Sequence, residues 1–241
     1  MRINKYLAEA GVCSRRAADE LIKEGHVTVN GKKLTEPGYD VVVGNDTVYV
    51  DGKRVRPVSR YTYLMLYKPK GCICSAKDEL GRKTVYDYIK LDKKLDCVGR
   101  LDYDSEGLLL LTNDGELLHN LTHPSFEIPK TYIVKIEGAL TEDEADKWRK
   151  GLTLDDGTKT APAGVTVLDH DDKSTRIEVV IHEGKNREIR RMAEALGKTV
   201  VFLKRVAIGD LKLGGLSRGA TRFLTTREVL YLKKIAKIES K

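Results

Sequence analysis

Apolar residues recur at two spacings along the chain, and each spacing predicts a different element. Ile3, Leu7 and Ala10 share a helical face that Gly11 can close. Ser14 then caps a second helix over 15–24, with Ala18, Leu21 and Ile22 as its apolar stripe. Residues 27–29 alternate as a strand, and Asn30-Gly31 is a strong hairpin signal. Residues 41–43, 47–50 and 53–55, with Asp51-Gly52 as a turn, complete a small sheet. The stretch 54–60 holds a proline, three arginines and no hydrophobic period, so it reads as a linker. Two domains are therefore expected, 1–60 and 61–241.

In the second, Tyr63 to Tyr67 forms a buried strand that stops at Lys68-Pro69-Lys70-Gly71. Residues 84–89 read as a helix. Leu108 to Leu111 is a short apolar run closed by Thr112-Asn113-Asp114-Gly115, the pattern of a strand buried on both faces. A helix should follow from Asn113 or Asp114, with Leu117 and Leu121 inward. Residues 130–136 alternate, placing Tyr132, Val134 and Ile136 on one face. Thr141 and Glu144 form a capping box for a helix over 141–150, which Trp148 should anchor. Strands over 165–168 and 175–181 are joined by a polar turn, 169–174. The stretch 182–192 then reads as strand, glycine turn and helix, with Ile189, Met192, Ala193 and Leu196 on the apolar face. Strands over 200–203 and 207–213 and a helix after Thr226 close an α+β chain.

Charge changes this picture. The net charge is +7, yet residues 182–241 alone hold 15 Lys and Arg against 6 Asp and Glu, an excess of +9. Such clustering suits a phosphate backbone, because each neutralised phosphate releases condensed counterions; an ordinary solvated basic surface is the plain alternative. Lys185, Arg187, Arg190 and Arg191 crowd the first turns of their helix, where the helix dipole disfavours cations. A bound polyanion or a facing carboxylate relieves that conflict. Near the other end of the chain, Lys5, Arg15, Arg16, Lys32 and Lys33 can line one face as a phosphate platform.

The rest of the composition mainly excludes. No apolar run approaches the ~20 residues of a membrane span, and Met1-Arg-Ile-Asn-Lys-Tyr6 has no apolar signal segment. The four cysteines lack paired Cys-x-x-Cys spacing. No metal site is expected, and a reducing cytoplasm is the simplest location. Phosphate-loop and dinucleotide fingerprints are missing.

The candidate chemistry lies just before the apolar run. Gly99-Arg-Leu-Asp-Tyr-Asp-Ser-Glu-Gly107 holds three carboxylates, Asp102, Asp104 and Glu106, at the mouth of a core strand. A solvated acidic loop is the alternative. The stretch, with Leu-Leu-Leu-Leu-Thr-Asn-Asp-Gly115 after it, resembles the signature of pseudouridine synthases, most closely those of ribosomal RNA that carry an S4 RNA-binding domain. Leu7-Ala-x-Ala-Gly-x-x-Ser-Arg-Arg-x-Ala18 and Gly25-x-Val-x-Val-Asn-Gly-Lys32 are similar to the S4 domain. Lys68-Pro-Lys-Gly71 fits the family's first turn, and Glu183-Gly-Lys-Asn-Arg-Glu-Ile-Arg-Arg-Met192 resembles its third motif. Relatives often carry threonine at Ser105 and glutamine at Glu188.

The resemblance implies a small S4-type αβ domain ahead of a mixed, mainly antiparallel-sheet catalytic domain. It implies isomerisation of a uridine in ribosomal RNA to pseudouridine, with Asp102 catalytic and Arg100, Tyr132 and Lys185 in support. Lys185 is expected to face Asp102. Lys5, Arg15, Arg16, Lys32, Lys68, Arg187, Arg190 and Arg191 are expected on RNA. The partner would be ribosomal RNA, large-subunit RNA or an assembly intermediate being favoured, and the enzyme a monomer without a cofactor. Two rivals stay open: a non-catalytic S4-type RNA-binding or ribosome-assembly protein, and a glycoside hydrolase using Asp104 or Glu106 as its second carboxylate.

Overall fold

The computed structural model describes residues 1–58, 60–76 and 78–238. The chain divides into two compact units, Met1–Thr62 with Asn113–Gly115, and Tyr63–Thr112 with Glu116–Lys241. Ser59, inside the stretch expected to be a linker, lies outside the described residues.

The first unit contains α1 (Ile3–Glu9), α2 (Arg15–Lys23), β1 (Val27–Val29), β2 (Lys32–Lys33), β3 (Val48–Val50) and β4 (Lys53–Val55). Ser14 caps α2 by accepting from the Ala17 amide. Its strands form one sheet in the order β2-β1-β3-β4, over a core in which Ile3, Leu7, Ala18 and Ile22 meet Val27 and Val48. The strand expected over 41–43 does not form. Asp46 Oδ2 accepts from the Val42 amide at 2.8 Å, which folds the segment into a turn; Val41 is buried while Val42 and Val43 are exposed. The strand expected over 53–55 forms as β4, so Arg54 and Val55, which the expected linker also took in, belong to the sheet.

The second unit is built on a nine-stranded sheet. Its elements are β5 (Tyr63–Lys68), β6 (Asp96–Val98), β7 (Glu106–Thr112), α3 (Gly115–Thr122), β8 (Lys130–Glu137), α4 (Glu142–Lys150), β9 (Gly164–Asp171), β10 (Ser174–Ile181), α5 (Glu188–Glu194), β11 (Val200–Ile208), β12 (Leu211–Lys212), β13 (Thr221–Phe223) and α6 (Thr226–Ile235). The order is β13-β5-β7-β11-β8-β10-β9, with β6 on β7 and β12 on β11. Every pairing is antiparallel except β7 with β11. The α+β class with a mixed, mainly antiparallel sheet is thus what the molecule has.

All seven residues of β7 are buried, as the uninterrupted apolar run requires of a strand covered on both faces. Its start is set by Gly107, whose φ is +118° and whose missing Cβ would run into the main chain of Arg205. Only glycine lets the parallel strands approach this closely.

Several predicted elements change. Residues 84–89 form a short 3-10 turn, Val85–Tyr88, held by a Thr84/Asp87 capping box. The two closing strands are one long strand, β11, which hairpins into β12 at Gly209-Asp210. Ladder pairing runs through most of the predicted 169–174 turn and leaves Asp172-Lys173 between the strands. The three-residue strands β6 and β13 are too short to show a period in the sequence. The Thr141/Glu144 capping box and the buried Trp148 are as expected.

Candidate functional site

The acidic loop, 99–105, leaves β6 and enters β7. Its shape is fixed from below through main-chain atoms. Lys68, at the end of β5, is fully buried, and its Nζ donates to the carbonyls of Asp102 (2.9 Å), Ser105 (2.8 Å) and Pro69 (3.1 Å). The Gly71 amide donates to the Tyr103 carbonyl, and the Ser105 amide to the Asp102 carbonyl. Cys74 Sγ accepts from the Leu101 amide at 3.4 Å. The turn after β5 and the acidic loop are therefore laced together, and the carboxylates are left to project.

The two aspartates then differ. Asp104 Oδ2 is 3.0 Å from Arg190 Nη2, which also donates to the Asp104 carbonyl and to Ser105 Oγ. Among the described residues, the one cation within 4.0 Å of the Asp102 carboxylate is Arg187, whose Nη1 lies 3.9 Å from Oδ2 and 3.6 Å from Asp104 Oδ1. Arg187 takes a left-handed φ of 48° at the head of α5, aiming its side chain at the loop. Both aspartate side chains are part-exposed, 36% for Asp102 and 45% for Asp104; they differ in that Asp104 is paired closely with Arg190, whereas Asp102 has only the more distant Arg187 beside it among the described residues.

Under the loop lies the sheet. Tyr132 on β8 sits directly across from Arg205 on β11 and packs in one cluster with Leu101. Arg205 is 2% exposed; its Nε donates to the Leu108 carbonyl at 2.7 Å, while Nη2 is buried without a hydrogen-bond partner among the described residues. Glu188, also buried, accepts from the Lys185 amide at 2.9 Å. Burial first of all, with the neighbouring Glu183 adding to it, pushes the Glu188 carboxyl up to about 7. Burial and the Arg205 charge bring Lys130 down to about 8. Burial also lowers Lys68, against the pull of the nearby thiols and aspartates.

The sequence-predicted residues divide accordingly. Asp102, Arg187 and Arg190 converge on the loop. Lys185 does not face Asp102: its ammonium goes to Glu183 and to the Lys159 carbonyl, and Arg187 takes the position expected of it. Lys68 and Arg190, expected on RNA, are buried, so their charges are committed to main-chain oxygens and Asp104. Arg191 is paired with Asp155 and Asp156. The crowded cations of α5 are thus relieved by facing carboxylates. Arg100 is exposed at the start of the loop, and Arg15, Arg16 and Lys32 are exposed in the first unit, while Lys5 lies 3.7 Å from Glu9. Sequence reasoning missed Arg205 and Cys74; an arginine inside the apolar run 200–208 was the available signal for the former. Among the described residues no group of His, Cys, Asp and Glu is placed to hold a metal, and no helix is long and apolar enough to cross a membrane.

A family model described as RNA pseudouridylate synthase matches residues 62–195, and one described as S4 domain matches residues 1–48. The chain is 47% identical to ribosomal large subunit pseudouridine synthase B of Bacillus subtilis (strain 168), over 98% of this chain and 96% of that protein. It is 42% identical to an uncharacterized RNA pseudouridine synthase of Aquifex aeolicus (strain VF5), over 97% of this chain and 94% of that one. A crystal structure of a pseudouridylate synthase superposes with a TM-score of 0.71 at 32% identity, covering 96% of this chain and 99% of the other.

Proposed function

Because this chain belongs to the RNA pseudouridylate synthase family and carries an S4 domain ahead of its synthase domain, we propose that it isomerises a uridine of ribosomal RNA, in the large subunit, with Asp102 acting on the sugar. The full-length likeness to a relative named for the large ribosomal subunit supports that choice of RNA. Work as a monomer in the cytoplasm belongs to the same reading.

The reaction breaks the N1–C1′ bond, turns the uracil and joins C5 to C1′. No group enters or leaves, so the residues need only supply a carboxylate, position and electrostatics. The observation that carries the assignment is the contrast between the aspartates. Asp104 is held by Arg190, while Asp102 has no such close partner among the described residues and sits on a main chain pinned by Lys68. An ionised carboxylate there either attacks C1′ or takes the 2′ proton; both use the same atom and the same placement. Arg187, with Nη1 3.9 Å from Asp102 Oδ2, sets a positive charge beside that carboxylate. The target uridine must leave its stack to reach the loop. Tyr132, on the strand beneath Leu101, is the ring for the flipped base to lie against.

The test is incubation with uridine-containing ribosomal RNA, reading pseudouridine and free uracil. Wild type should give pseudouridine alone. Asp102→Asn keeps the size of the side chain but neither attacks nor accepts a proton, so turnover should vanish while RNA affinity stays within about threefold. Turnover within about tenfold of wild type would remove Asp102 from the chemistry, and release of uracil would make the enzyme a hydrolase.

A further inference from the structure

Lys68 and Lys70 stand on one turn and go opposite ways. Lys68 is fully buried, whereas Lys70 is exposed, with its Nζ 5.1 Å from the centre of the Phe202 ring. Two residues further along β11, and on the same face, Lys204 lies 4.7 Å over the ring of Tyr67. The Tyr67 hydroxyl donates to Glu106 Oε1 at 2.6 Å, and Arg218 Nη2 lies 3.2 Å from both oxygens of that carboxylate. Lys70, Lys204 and Arg218 are thus linked through two rings and one carboxylate.

The anchor of this row is in the core, and the cation it holds is not. The Glu106 side chain is 2% exposed and that of Arg218 is 61%. A carboxylate so deep needs a cation and further hydrogen bonds beside it. Arg218 meets it through one nitrogen, Nη2, and leaves most of its guanidinium in water. The turn that carries Arg218 is fixed as well. The Gly219 amide donates to the Tyr67 carbonyl at 2.8 Å, the Tyr67 amide to the Ala220 carbonyl at 3.0 Å, and the Ala220 amide to the Ser217 carbonyl at 3.0 Å. A planar fork with outward N–H groups on a rigid base matches the paired oxygens of a phosphate.

We propose that Arg218, Lys204 and Lys70 form a binding site for the RNA phosphate backbone beside the Asp102 loop, with Glu106 and Tyr67 as the fixed base that presents Arg218. The proposal rests on the reading that the substrate is RNA and says where the second unit grips it. The row begins where the acidic loop ends. Glu106 follows Ser105, and neighbours in extended chain point to opposite faces. Ser105 Oγ meets Arg190 on one side, and Glu106 meets Arg218 on the other. Lys70 belongs to the turn whose Gly71 amide donates to the Tyr103 carbonyl of that loop. Arg218 supplies a two-pronged contact and the lysines supply point charges, while the half-buried Phe202 ring offers a face on which a base can stack. An ion pair serving stability alone gives no reason for two more cations in line with it.

The experiment measures binding of a large-subunit ribosomal RNA transcript by the full chain over a salt series. The proteins are wild type, Arg218→Ala, Arg218→Lys, Lys204→Ala and Lys70→Ala. Each alanine variant should lower the slope of log affinity against log salt by about one unit. At physiological salt Arg218→Ala should bind about tenfold more weakly, whereas Arg218→Lys should keep the wild-type slope and lose only part of the affinity. The rate at saturating RNA should stay within about threefold of wild type, so the loss shows at limiting RNA. Arg218→Ala leaves Glu106 with Tyr67 alone, so its unfolding midpoint is read alongside. Lys204→Ala and Lys70→Ala leave that carboxylate untouched and carry the test if the arginine variant unfolds. Unchanged slopes in the two lysine variants, or an Arg218→Ala protein that is only less stable, would overturn this proposal alone and make Arg218 a structural partner of Glu106. A wild type with no salt-dependent RNA affinity would overturn the functional reading itself, and this proposal with it.

Discussion

Arg15, Arg16 and Lys32 of the first unit stand exposed on a scaffold whose buried residues, from 1 to 58, are all hydrophobic, whereas Lys68, Arg190 and Arg205 of the second are 0, 7 and 2% exposed. The same residue types meet opposite surroundings. A cation in water is free to meet a phosphate and is sensitive to salt. A buried cation must be paid for locally, and here main-chain carbonyls of the acidic loop and the Asp104 carboxylate do so. The second unit's interior charge is therefore architecture for a carboxylate.

The sharpest break of that contrast is Lys68→Met. Methionine fills the space but takes the ammonium from three carbonyls, of which that of Asp102 keeps the Ser105 amide and that of Pro69 the Cys72 thiol. Stability should therefore fall by about 3 kcal/mol in denaturant unfolding and turnover by about 100-fold or more. If instead the variant is stable and only binds RNA less well, with a shallower salt dependence, Lys68 faces phosphate after all. Arg190→Ala comes next. It takes the donor from the Val200 carbonyl and leaves Asp104 with Arg187 alone, and should cost about 2 kcal/mol and about tenfold in turnover. The slope of log affinity against log salt should stay at the wild-type value. A reduced slope would move Arg190 into the class of the exposed cations.

The elements with a clean period were legible. The stripes of α2 and α5, the capping box of α4 and the buried run of β7 each follow from spacing alone. Positions where a side chain must choose between solvent and interior were not. Arg187 and Lys185 are two residues apart on one turn, and only the backbone at Arg187, with its left-handed φ, decides which one reaches Asp102. Arg190 entered the basic count of 182–241 and Lys68 the set expected on RNA, and neither a count nor a motif carries burial. The 41–43 segment failed as a strand because the carboxylate of Asp46, four residues on, captured the Val42 amide and closed a turn. Short pieces such as β6 and β13 exist through pairing with long neighbours, which local pattern does not record.

A buried acid tests the same principle with the opposite sign of charge. Glu188 sits at about 7 when folded and near its ordinary 4.5 when unfolded. Between those values the native state holds a proton that the unfolded state has lost, so stability falls as pH rises through that window and the full cost is present above pH 7. Glu188→Gln keeps an oxygen for the Lys185 amide and removes the charge. The variant should match wild type near pH 4.5 and exceed it by about 2 kcal/mol at pH 8, read as unfolding midpoints across a pH series. An equal gain at both pH values would mean that packing, not ionisation, separates the two side chains.

The smallest effect separates two arginines that look alike in the sequence. Arg191 is tied to Asp155 and Asp156, carboxylates that are themselves largely in water. Such a pair contributes little, since solvent screens it and two side chains must be held in place. Arg191→Ala should therefore leave the thermal midpoint within about 2 °C of wild type and leave the salt slope unchanged. Arg16→Ala should leave the midpoint unchanged too, yet lower the salt slope by about one unit and weaken binding to all RNAs alike. The decisive measurement is RNA affinity for the two variants side by side over a salt series. Should Arg191→Ala flatten the slope as much as Arg16→Ala, its aspartates release it when RNA arrives. The α5 end would then join the first unit's face as a phosphate surface.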